Sequence, residues 1–291
     1  MGSGEFDFKP LLNAFKFGFT DKFGLANAIF KDTAPKNLNG ENLGKFGKFN
    51  LAFHVGDEFK SVLQNRLKMA NLLGLELRNL IFMNQIHSDK ICVVDEKFMA
   101  EFGVKFDKFF EFGEFRDFGE KTQGEFVKIF PECDAMVTNL HGVGLCVMVA
   151  DCSPVLLLDE INGAVGVAHA GRAGVTQKIV TKTAIKMSEI YGTKICDLSV
   201  IVGANIRGSC YEVGDLDLGE FNKFKCYANP KTGENFLNFD MNLALKSEFS
   251  ELGIKKFIFS DECSHCENHL YSYRREKQTG RFCGFVVKNN S

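Results

Sequence analysis

The residues of this 291-residue chain whose types and order could do chemistry gather near its middle. Asp151-Cys152-Ser153 is a polar break between two apolar runs, Val143 to Ala150 and Pro154 to Leu158, and His169 follows a third, Ala164 to Ala168. Asn162-Gly163, between the second and third runs, is a strong hairpin signal because the central residues of a tight hairpin turn need positive φ. Folding that hairpin brings its open ends together, so Cys152 and His169 are expected within a few residues of each other across the sheet. Taken singly, Cys152 reads as a small buried thiol and His169 as a hydrogen-bonded strand-end residue. His87, in the polar turn Gln85 to Lys90, turns the pair into a His2Cys set. Three protein ligands with an open fourth position are the arrangement of a catalytic zinc rather than a structural one. Such a set also suits mononuclear copper, which binds it more tightly than zinc. Without metal, the same residues read as a nucleophile, Cys152, and its base, His169, as in a cysteine hydrolase. The cluster Cys263-Ser264-His265-Cys266, with His269 nearby, is weaker as a second metal site, because one C-x-x-C has no matching pair.

These side chains need elements to position them. Apolar residues at Val62, Leu63, Leu67, Ala70 and Leu73 predict an amphipathic helix over Phe59 to Leu73, ended by Gly74, with Arg66 beside its apolar stripe. Leu80 to Asp95 predicts two strands interrupted by the turn that carries His87. Phe49 to Asp57 is a short alternating stretch that holds His54. Small residues from Ala170 to Gly174 open a helix with apolar positions from Val175 to Ile190, and that opening is a candidate phosphate-binding point. Lys97 to Phe130 is different material: Phe98, Phe102, Phe106 and Phe109 have helical spacing, while Gly103 and Gly113 weaken it. No repeat, linker or low-complexity tract marks a boundary, so a single domain over 7–291 is expected, with 97–130 as an excursion and the first six residues as a cloning remnant.

A composition of 45% hydrophobic and 25% charged residues fits a folded globular chain and excludes disorder. The formal net charge of -2 gives no basic footprint, so nucleic acid and anionic membrane are not expected partners. The longest apolar run, around Val143 to Ala150, is far below the roughly 18 residues of a transmembrane helix. Ten cysteines without a secretory segment predict reduced thiols and a cytoplasmic protein. The 31 Phe against no Trp fit core filling, or an interaction module wherever the Phe-rich segment exposes contiguous aromatic surface.

Several motifs resemble one family in order. Asn84-Gln85-Ile86-His87 is similar to its Gln-Val-His, Cys133-Asp134-Ala135-Met136-Val137-Thr138 to its Ala-Asp-Ala-Leu-Val-Thr, and Ala150-Asp151-Cys152-Ser153-Pro154-Val155 to its Ala-Asp-Cys-x-Pro-Val. Ala168-His169-Ala170-Gly171 resembles its His-Ala-Gly, and Ser272-Tyr273-Arg274-Arg275 with Thr279-Gly280-Arg281 its closing Ser-x-Arg-Arg and Thr-Gly-Arg. This is the laccase-domain family, first called multicopper polyphenol oxidases and later associated with purine nucleoside phosphorolysis, adenosine deamination and bacterial peptidoglycan editing. The resemblance implies an α+β fold, a layered αββα sandwich with mixed sheets, and carries the metal-ligand roles onto His87, Cys152 and His169. Two departures stand out. The family's His-Ala-Gly-Trp-Arg-Gly here reads His169-Ala170-Gly171-Arg172-Ala173-Gly174, without the Trp and with the Arg displaced by one, and the Phe-rich excursion is longer than the family's connection.

A full multicopper oxidase resembles families that use about ten histidines in paired His-x-His motifs. This chain has 6 His and no such pair, so that reading is set aside. The expectation is zinc-dependent phosphorolysis of a purine nucleoside such as adenosine, inosine or methylthioadenosine, with adenosine deamination as a further activity. Its partners are then a small-molecule nucleoside and phosphate, and the chain acts as a monomer or a weak homodimer. Phosphate calls for Arg and helix N-terminal amides, which makes Arg66 and Arg172 candidates, with His54 at the rim. The alternatives are the cysteine hydrolase, acting on a peptidoglycan precursor, the mononuclear copper phenol oxidase, and the interaction module.

Overall fold

Strands Ser153–Asp159 and Ala164–Ala170 are buried at every position on both faces. A strand manages that only inside a layered structure. The computed structural model describes residues 11–26, 45–46, 49–111, 114–115, 119–227 and 237–289, and it shows those layers. One mixed sheet runs in the order Gly24–Ala26, Phe15–Asp21, Phe282–Lys288, Gly144–Val149 and Leu80–Ile81. The other runs Lys256–Phe259, Ser199–Val202, Ser153–Asp159, Ala164–Ala170, Ala135–Thr138 and Ile91–Val93. Leu156, Leu158, Val165 and Val167 join Phe15, Phe17, Leu145 and Val147 in the core shared by the two sheets. Val155, Leu157, Val200 and Val202 point the other way, against Ile179, Val180, Ala184, Met241 and Leu245 of the covering helices Ile179–Tyr191 and Met241–Glu251. Helix Phe59–Leu73 covers the outer side of the first sheet and ends, as expected, on Gly74 in the left-handed conformation. The result is the αββα sandwich.

One local expectation needs correction, and two other stretches take arrangements that their spacing left open. The helix expected from Val175 to Ile190 is two pieces, Arg172–Thr176 and Ile179–Tyr191, broken at Lys178, whose φ is +55°. The first piece is a single turn, too short to gather the aligned peptide dipoles that would make its start a phosphate site. The alternating stretch Phe49 to Asp57 forms no strand but a 3-10 turn, Phe53–Val55, because Gly56 closes it at φ +81°. The two strands around His87 do form, as Leu80–Ile81 and Ile91–Val93, but they belong to different sheets.

The Phe-rich excursion folds inward. Helix Glu96–Asp107 starts on the Asp95 carboxylate, which accepts from the Phe98 amide at 2.7 Å, and helix Glu120–Val127 follows. Phe102, Phe106, Phe126 and Phe130 are buried. Phe126 is the hub, with its ring 5.6–5.9 Å from those of Phe53, Phe59, Phe106 and Phe130. The exposed aromatic surface that an interaction module would need is therefore not what these rings form; Phe112 and Phe118 lie outside the described residues. Among the described residues no helix is long and apolar enough to cross a membrane, and all ten cysteines are free thiols.

Candidate active site

The Asn162-Gly163 turn does what its sequence predicts: His169 pairs with Pro154 and Ala170 with Ser153. Cys152 is thereby set beside His169. The residue before it, Asp151, is where the chain leaves strand Gly144–Val149 of one sheet for strand Ser153–Asp159 of the other, and its φ is +94°. A non-glycine residue rarely adopts that backbone, and the surroundings hold it there. Its carboxylate accepts from Ser264 Oγ at 2.7 Å and from the Arg274 amide at 2.6 Å. Its carbonyl accepts from the Ile206 amide at 2.9 Å.

His87 reaches the same place from a second crossover between the sheets, again with a left-handed backbone, φ +59°. One buried carboxylate arranges both histidines. Asp134 accepts from the amides of Ile86, His87 and Ser88 and from Ser88 Oγ at 2.6–3.2 Å, and its Oδ1 lies 2.8 Å from His169 Nδ1. That bond fixes His169 as the Nδ1–H tautomer and leaves Nε2 for the site. Gly171 completes the approach, because a Cβ there would stand 2.6 Å from Cys152 Sγ and 3.7 Å from His169 Nε2. The ligand atoms of His87, Cys152 and His169 all lie within 4.8 Å of one another.

The electrostatics follow from this packing. Burial raises the Cys152 thiol, but the charge and hydrogen bonds of His169, then of His87, outweigh it and bring it down to about 6. Burial lowers His169, but Cys152 and Asp134 outweigh that and raise it to about 9. Burial likewise raises Asp134, and the bonds from His169 and Ser88 bring it down to about 2. A thiolate beside two imidazoles suits a soft or borderline divalent ion, and the carboxylate behind His169 is the usual support of a metal-binding histidine. The residues fit such an ion.

The three donors open into a cavity of about 510 Å³. Arg172, Arg274, Lys277, Arg281 and His54 line it, and Asp151 is the one carboxylate among its described lining residues. Met148, Val149, Ile206 and Met241 supply an apolar wall, and Tyr211 and Tyr273 aromatic rings. Tyr273 is half exposed at the mouth, and Arg274 lies 5.2 Å over the Tyr211 ring. Burial, with Arg281 and Arg66 nearby, brings His54 down to about 4, so it is neutral at pH 7. Gln85 lines the cavity with both amide groups spent on Met148, donating to its carbonyl at 2.7 Å and accepting from its amide at 2.9 Å.

Of the sequence candidates, His87, Cys152, His169, Arg172 and His54 come together here. Arg66 does not. It is buried behind the wall, donates to the Leu51 carbonyl at 2.9 Å and stacks 3.7 Å from the Phe82 ring centroid, so the phosphate-contact role proposed for it is corrected. Its helix position beside the apolar stripe already pointed inward. Lys277, Tyr211 and Gln85 were missed, and Arg274 and Arg281 belong to the closing motifs without having been assigned a contact. Asp134 sat inside a quoted motif, but only the fold shows its carboxylate between the two histidines.

Residues 36–289 match the family described as multi-copper polyphenol oxidoreductase laccase. The chain belongs to this family. A purine nucleoside phosphorylase of Corynebacterium glutamicum is 32% identical over 266 residues, 91% of this chain and 97% of its own. An adenosine deaminase from an unknown prokaryote is 29% identical over 84% of this chain and 87% of its own. The crystal structure of YlmD from Geobacillus stearothermophilus shares the fold, with a TM-score of 0.74 at 23% identity over 97% of this chain and 94% of that one.

Proposed function

We propose that this laccase-family chain is a zinc-dependent purine nucleoside phosphorylase that also deaminates adenosine. The observation that carries the reading is one cavity in which the His87, Cys152 and His169 donors face the cationic wall of Arg172, Arg274, Lys277 and Arg281. Phosphorolysis brings phosphate to C1′ of the ribose as the glycosidic bond to the purine breaks, giving free base and ribose 1-phosphate. The cationic wall receives the phosphate, and guanidinium groups match its oxygens in pairs. Tyr211 and Tyr273 offer faces for the base, and Met148, Ile206 and Met241 exclude water around it. Zinc held by the three donors supplies Lewis-acid polarisation of a substrate group or water. Cys152 is ionised and Asp134 fixes the ring of His169, so an ion has only to displace the Nε2 proton of His169 to be held by both. The similarity to a Corynebacterium protein named for purine nucleoside phosphorolysis and a prokaryotic one named for adenosine deamination supports the same pair of reactions.

The test incubates metal-analysed protein with adenosine, with and without phosphate. Phosphate-dependent release of adenine, slow inosine formation without it and loss of both in Cys152→Ala are expected; full turnover in that variant sinks the reading. The Cys152–His169–Asp134 order also has the layout of nucleophile, base and orienting acid, which favours a metal-free cysteine hydrolase as the second reading. Turnover that survives chelation, together with fast alkylation of Cys152 in the active protein, would select it.

A further inference from the structure

We infer that Cys210, Cys263 and Cys266, with His265 as the nitrogen donor, form a second and structural zinc site at the edge of the cavity. The C-x-x-C at Cys263 lacks a partner in the sequence, and the fold supplies one. Cys210, 56 positions before Cys266, places its Sγ 3.5 Å from the Cys266 Sγ. Two thiolates on one tetrahedral zinc, with Zn–S near 2.3 Å, stand about 3.8 Å apart, so this pair needs only a small outward shift. The ligand atoms of Cys210, His265 and Cys266 lie within 4.8 Å of one another.

Cys263 lies in the same turn but outside that group of three, and it completes the set as a fourth ligand by turning its side chain towards the ion. Its Sγ accepts from the Arg207 amide at 3.5 Å. The Cys266 amide also closes that turn onto the Cys263 carbonyl at 3.0 Å. Three thiolates and an imidazole are a soft donor set that selects zinc over magnesium or calcium, and four protein ligands leave no open position.

Such an ion would tie two cavity-wall segments together. Cys210 precedes Tyr211 in the wall, and Ser264 within the C-x-x-C donates to Asp151, beside Cys152. Arg275 donates to the carbonyls of both Ser264 and His265 at 2.9 Å. The site would thus tie the Tyr211 segment to the turn that holds Asp151, and it stands independently of the reaction proposed above.

Its test reads metal stoichiometry rather than turnover. Cys152→Ala protein of the full chain, which lacks the thiolate of the other site, is stripped under reducing conditions and titrated with Co2+ and then Zn2+. One Co2+ per chain is expected, with a near-ultraviolet thiolate charge-transfer band and the intense visible bands of a tetrahedral thiolate-rich site, all displaced by one Zn2+. Adding Cys210→Ser and Cys266→Ser should abolish the bands. If those variants do not fold, zinc protection of Cys210, Cys263 and Cys266 from N-ethylmaleimide in the otherwise native chain replaces them, with alkylation slowed about tenfold. Absence of stoichiometric Co2+ in Cys152→Ala, bands that survive the serine substitutions, alkylation unaffected by zinc, or recovery of Cys210 and Cys266 as a disulfide that zinc does not prevent would each overturn the proposal.

Discussion

Asp134 is the residue on which the chemistry turns, because one carboxylate sets the tautomer of His169 and the backbone of the His87 loop together. Asp134→Asn keeps the shape but removes the charge that holds the His169 Nδ1–H, so metal affinity measured against a chromophoric chelator is expected to fall about 10–100-fold. Removing the ion exposes a titration. In metal-free protein the Cys152 thiolate, lowered to about 6, contributes stability that is full above the unfolded thiol's ~8.5 and is lost as pH falls through about 6. His169, raised to about 9, contributes stability that is full below the unfolded ~6.5 and is lost as pH rises through about 9. The pair is therefore charged between about 6 and 9, and the rate of Cys152 alkylation by iodoacetamide should have its midpoint near pH 6. A midpoint near that of the denatured chain would show that no such pair forms. For phosphate, Arg274→Met should raise KM about tenfold or more with a smaller change in kcat, as loss of a hydrogen bond to a charged group does. At this scale the sequence was informative about types and order, since His87, Cys152 and His169 stood in recognisable surroundings. It was silent about Asp134, whose part is set by partners 35 to 48 positions away along the chain, and about Lys277, which only the fold brings to the cavity.

Among the elements, the Phe-rich excursion is tied to the site. Where it ends, the Val127 and Phe130 carbonyls accept from Asn84 Nδ2 at 2.9 and 3.1 Å, and the Asn84 amide donates to the Pro131 carbonyl at 2.9 Å. The His87 loop thus leans on the last turn of the excursion. Phe126→Ala removes the ring at the centre of that cluster and is expected to cost about 3–5 kcal/mol in denaturant unfolding. The same variant should weaken metal binding although it is no ligand, and an unchanged affinity would separate the two regions. Helical spacing announced the helix that carries Phe98, Phe102 and Phe106 despite Gly103, because a glycine with nothing within 4 Å of its Cβ position costs propensity but no packing, while Phe109 falls in the turn past its end. The break at Lys178 and the turn at Phe53 were not legible. Both depend on backbone conformations that the apolar pattern does not encode.

For the molecule as a whole, the hairpin turn and the fully apolar runs announced central strands and the family resemblance implied their layering, while the division of strands between two sheets was hidden. Val143 to Ala150 and Pro154 to Leu158 read alike in composition, yet they belong to opposite sheets, and periodicity cannot tell neighbours in one sheet from neighbours across a core. Two of the three proposed metal donors, His87 and Cys152, lie on the segments by which the chain passes from one sheet to the other, while His169 stands near the end of a strand of the second sheet. The donor triangle is in effect a gauge of how the sheets are seated, and any sliding of one on the other changes its sides. Leu156→Ala, a change in the shared core, is expected to cost about 2–5 kcal/mol and to weaken the ion's hold in proportion to the shift. Equilibrium dialysis beside unfolding curves measures both. A chain in which only one sheet has formed holds no complete triangle, so the capacity for this chemistry arrives only when the last layer docks.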